Sequence, residues 1–149
     1  MVCLLAAHVM NSVGVWLAHR LLHLPGFGAV HARVHHGSAS GWRAQAGEHG
    51  VWACLVIGHL GIAVWLLPSP LDMCLLADAA VSGPATYVLH TAFDRPDTRL
   101  RRYRWFQRAR DAHRRHHRTA HLDFHRCGWF AFGLPPLGFL FDRLAGTDR

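Results

Sequence analysis

Val2–Ala18 and Val51–Leu67 contain no Asp, Glu, Lys or Arg, and Leu71–Leu89 contains only Asp72 and Asp78. At 1.5 Å per residue, helices over these runs would be about 26–29 Å long, close to the ~30 Å hydrocarbon layer of a bilayer. Buried helices of a soluble bundle are the competing reading. Such helices keep a charged outer face, and these runs have none. Pro68-Ser-Pro70 separates the second and third runs by a turn short enough only for a hairpin. The first run lacks the basic leader and small-residue cleavage pattern of a signal peptide, so it reads as a membrane helix. The expected fold is all-α: an integral-membrane helical bundle of about three spans, with a histidine-rich helical cap on the cytoplasmic side.

Charge placement sets the orientation. The chain has 149 residues and a net charge of +7, and it is 51% hydrophobic. Residues 94–126 hold eleven Arg and four Asp, while the remainder holds five Arg and five acids. The whole excess therefore sits in one stretch. Arg20, Arg33 and Arg43 fall between runs one and two, on the side that this stretch also occupies. The positive-inside tendency makes that side cytoplasmic and leaves the N-terminus outside. The expected location is thus a multi-pass cell membrane protein. A nucleic-acid interface is the other reading of such charge, and flanking membrane runs argue against it. By length the chain is one domain, 1–149. Cys3, Cys54, Cys74 and Cys127 are scattered without a C-x-x-C pair, so neither a disulfide framework nor a thiolate metal site is expected.

Histidine carries the chemistry. It is concentrated in His19-Arg-Leu-Leu-His23, His31-Ala-Arg-Val-His35-His36 and His113-Arg-Arg-His116-His117. Spacings of three to five residues bring side chains to one helix face or its edge. All three clusters fall at the same predicted membrane surface, and His90 ends the third run at that depth. A solvated basic surface is the alternative for these residues, and it fits poorly for the first cluster, which abuts an apolar run. Eight or nine imidazoles are too many for one ion and suit two. Imidazole accepts Fe, Cu, Zn and Ni alike. Glu48 is the sole Glu, which excludes the Glu/Glu-x-x-His design of soluble di-iron bundles. His8 and His59 lie inside apolar runs and read as packed or hydrogen-bonded; His49, His121 and His125 have no assigned role, although His125 is the best placed to support a ligand.

The three histidine clusters, Tyr87-Val-Leu-His90-Thr, Arg95-Pro96 and Phe141-Asp-Arg-Leu-Ala-Gly-Thr147 together resemble the fatty acid hydroxylase/sterol desaturase superfamily, which includes carotenoid hydroxylase relatives. The resemblance runs in order along nearly the whole chain. It implies a membrane oxygenase that inserts oxygen from O2 into a C–H bond of a fatty acyl, sterol or carotenoid-like lipid, with desaturation as the related outcome. It also implies two non-haem iron ions, which zinc can replace in a purified sample. Electrons would come from an external ferredoxin- or cytochrome-type donor, and the lipid from the bilayer. The implied metal ligands are His19, His23, His31, His35, His36, His90, His113, His116 and His117. Three features depart from the commoner pattern. The second cluster has three residues before its His pair instead of two, Thr86 stands where many relatives have a further His, and three spans are expected where many have four. A non-catalytic membrane metal or haem binder, or an inactive relative, is the alternative function.

Overall fold

The computed structural model describes residues 1–24, 29–34, 42–118 and 137–146. Among these residues the regular structure is helical throughout. The helices are α1 (Val2–Leu21), α2 (Ala29–Val34), α3 (Trp42–Leu66), α4 (Leu71–Asp94), α5 (Arg104–Arg118) and α6 (Gly138–Ala145), with a short 3-10 turn at Arg99–Arg102. The expected hairpin is present: α3 stops at Leu66 and α4 starts at Leu71, on either side of the two prolines. α1 packs mainly along α4, and α3 lies against both.

Two of the three expected spans meet a length-and-apolarity measure for crossing a bilayer: Val2–Leu21 and His49–Leu66. α4 is long enough, with 24 residues, but Asp72, Asp78, Ser82 and Thr86 dilute its apolar character. The outer faces are nonetheless apolar. Trp65 is 83% exposed, Ile57 68% and Val81 71%, with Ile62, Leu66 and Val88 similarly open. Burying each such side chain gains about 1.5–3 kcal/mol, so water is a costly neighbour for this surface. Hydrocarbon is not.

Polar residues join the facing sides of α1 and α4. Asp78 of α4 accepts hydrogen bonds from Asn11 Nδ2 (2.8 Å) and Ser82 Oγ (3.4 Å), and lies 2.8 Å from His8 Nδ1. Asn11 Nδ2 also donates to the Leu75 carbonyl at 2.9 Å. An unsatisfied carboxylate at this depth would be expensive, and these partners offset much of that cost. His8 is therefore hydrogen-bonded, as its sequence context suggested.

α5 is built differently. Phe106, Ala109, Ala112 and His113 are buried at intervals of three, three and one, while Arg104, Arg108, Arg114 and Arg115 are exposed on the other faces. The buried stripe packs with Leu89, Ala92 and Phe93 of α4 in one apolar cluster, joined by Trp16 and Leu100. This contact carries the histidines of α5 to the end of α4.

Candidate metal centre

The last turn of α1 places His19, and the turn after it places His23. α2 supplies His31. All three rings are 1% exposed. Their centroids form a near-equilateral triangle of 4.8, 4.9 and 5.0 Å, with each pair close to perpendicular. His19 Nε2 and His31 Nε2 are 3.1 Å apart. One potential ligand atom from each ring can be chosen so that all lie within 4.8 Å of one another. Two nitrogens bound to one ion at about 2.0–2.1 Å stand about 3 Å apart, so the closest pair already has ligand spacing and the wider ones need a small ring movement. Three imidazoles in a buried pocket suit a transition metal. The donor set fits the expected group.

Trp52 of α3 stacks on His19, with centroids 5.6 Å apart and planes 14° from parallel, and meets His31 edge-on at 6.5 Å. Sequence reading missed this residue. An indole inside an apolar run looks like any other lipid-facing aromatic. Its signal was position: Trp52 begins the second span at the depth where the histidines collect.

A second group assembles at the end of α4. His90 lies 4.5 Å from His113, and His113 lies 4.3 Å from His117, centroid to centroid. Phe93 backs His113 at 5.2 Å. His90 thus meets the third histidine cluster as its depth implied. Among the described residues the first trio is the one group of three whose ligand atoms gather in an ion-sized space. His116 lies on α5, but its side chain is outside the described part; so are His35, His36, His121 and His125. The same holds for most of the Gly/Pro-broken segment 127–141, of which α6 and Leu137 are described.

α6 buttresses the site from below. Trp16 Nε1 donates to Asp142 Oδ1 at 3.0 Å, and Trp16 meets Phe141 edge-on at 6.0 Å. The Arg20 guanidinium stands 4.9 Å from the Trp16 ring, a cation–π contact one residue beyond His19. Asp142 is fully buried. The sequence marked Phe141–Thr147 only through resemblance, and the structure shows what that motif touches.

A cavity of about 310 Å³ lies between α1, α3 and α4. His19, His31 and His90 line it together, so it links the trio to the second group. His49 and Tyr87, 6.3 Å apart, also line it, as does Thr86, the residue that departs from the commoner His. The rest of its wall is largely apolar.

The structure thus sets two helices long and apolar enough to cross a membrane beside buried histidines and a largely apolar cavity. The sequence profile of the fatty acid hydroxylase family matches residues 4–147, and the chain belongs to that family. Its members are lipid hydroxylases and desaturases, oxidoreductases known for binding metal. Neither a curated protein nor a solved structure matches the chain significantly.

Proposed function

We propose that this protein is a multi-pass membrane oxygenase with a non-haem di-iron centre, which hydroxylates a C–H bond of a bilayer lipid at the cytoplasmic surface. The observation that carries the reading is the buried trio His19, His23 and His31 opening onto an apolar cavity. His19, His23 and His31, with His90, His113 and His117, would hold the irons; His35, His36 and His116 complete the set that the family pattern implies. When bound, the irons supply activation of O2 and oxidation of an unactivated C–H bond. The overall reaction consumes O2, two electrons and two protons, places one oxygen atom on carbon and releases the other as water. The chain's own residues do the positioning. Trp52 fixes the plane of His19, and Phe93 backs His113. Val15, Val56 and Leu60 line the cavity with apolar surface that excludes water and accepts a lipid chain. The exposed arginines of α5 and its approach, Arg101 to Arg115, form a basic face suited to an acidic ferredoxin- or cytochrome-type donor or to anionic head groups.

The test combines metal analysis with lipid mass spectrometry. The parent protein should carry about two irons per chain, and cells expressing it should gain one oxygen mass in a single lipid class. His31→Ala should lower iron content and abolish that product. Product formation retained in His31→Ala would contradict the ligand assignment, and a loss of two hydrogens in place of an oxygen gain would make the reaction a desaturation.

A further inference from the structure

The cavity has two chemically different ends. His19, His31 and His90 form one, and Ser12 of α1 and His59 of α3 line the other. Seven residues separate Ser12 from His19, about 10 Å along a helix. Val15 and Val56 make the wall between them apolar.

Ser12 is 4% exposed, and its Oγ is buried without a hydrogen-bond partner among the described residues. His59 Nε2 is also buried without one. Their polar neighbours are occupied: Asn11 and Ser82 both bond Asp78. A helical serine ordinarily bonds back to the carbonyl one turn earlier, and Ser12 does not. Leaving a buried polar group unmet is costly, so two lining one cavity call for a ligand atom. Gly14 supports the same conclusion. A Cβ there would stand 2.4 Å from the His59 ring, so the absence of a side chain is what lets this imidazole lie where it does.

We infer that Ser12 and His59 form a subsite for a hydrogen-bonding oxygen, hydroxyl or carbonyl, borne by the lipid about 10 Å from the carbon presented to the histidines. The inference rests on the oxygenase reading and narrows its substrate class. The preferred substrate is a lipid with an oxygen function remote from the oxidised carbon, and a plain hydrocarbon chain is disfavoured because it leaves both groups unpaired.

The probes are ω-bromodecanol and bromodecane, added to the full chain in detergent. Bromine quenches tryptophan fluorescence at short range. A hydroxyl seated at Ser12 and His59 carries the bromine toward Trp52, so Trp52→Phe should remove most of the quenching. The alcohol should bind roughly 2- to 10-fold more tightly than the alkyl bromide, as one or two net hydrogen bonds would give. Ser12→Ala with His59→Phe should bring the two affinities together, and Ser12→Ala alone should halve the preference or better. Equal affinities in the parent, or a preference that survives undiminished in the double variant, would overturn the subsite. Iron measured on the same preparations separates the two claims. Alcohol preference without iron leaves the subsite standing and removes the oxygenase, whereas iron without preference does the reverse.

Discussion

At the scale of single residues, what matters is which polar side chains find partners inside an apolar bundle. Asp78 is the clearest case, because its carboxylate is shared by His8, Asn11 and Ser82 across α1 and α4. Asn11→Leu removes one donor to that carboxylate and the bond to the Leu75 carbonyl. It should lower stability by about 1–3 kcal/mol, read as a reduced thermal midpoint in detergent. A midpoint equal to that of the parent would show that the network does not hold the two helices. The sequence displayed these residues but not their pairing. Asn11 and Ser12 are adjacent and equally polar on paper; only the packed structure shows that Asn11 is committed to Asp78 while Ser12 is left facing the cavity. The histidines were easier to read. His19 and His23 are one turn apart in any helix, so their meeting was written in the spacing. That His31 would close the triangle depended on the direction of a connection that no periodicity encodes.

At the scale of elements, α5 is held to the end of α4 by one apolar stripe. Its buried stripe, Phe106, Ala109 and Ala112, sits against Phe93 of α4, and Phe93 and Phe106 are 5.2 Å apart. Phe106→Ala should cost about 3–5 kcal/mol, the usual loss for a buried phenylalanine. With five arginines from Arg104 to Arg115, a loosened α5 should be cut readily by trypsin where the parent resists. Arg108→Gln, an exposed change on the same helix, should leave stability within about 0.5 kcal/mol. Equal trypsin resistance in Phe106→Ala would mean that something other than this stripe secures α5. The hairpin at Pro68–Pro70 and the helical class were legible because proline and uncharged runs act locally. The third span was harder to judge, since Asp72 and Asp78 reduce the apolarity of α4 while its partners on α1 compensate for Asp78.

For the molecule as a whole, orientation is the property on which the proposed lipid chemistry depends. The proposed three-span arrangement would put the α3–α4 turn outside and the arginines of α5 inside. In a chain with Cys3, Cys54, Cys74 and Cys127 replaced by Ala, Ser69→Cys should react with a membrane-impermeant thiol reagent added to intact cells. Arg108→Cys should react only after the cells are opened. The opposite pattern would invert the topology.

The bond between Trp16 and Asp142 has a consequence for how the protein comes into being. It joins positions 126 residues apart, linking α1 to the much later synthesised α6. Contacts so distant in sequence form late, after the entropy of closing the intervening chain has been met. The ground beneath His19 is therefore finished only once α6 has left the ribosome. A nascent chain stalled before that point would present its imidazoles on a loose support.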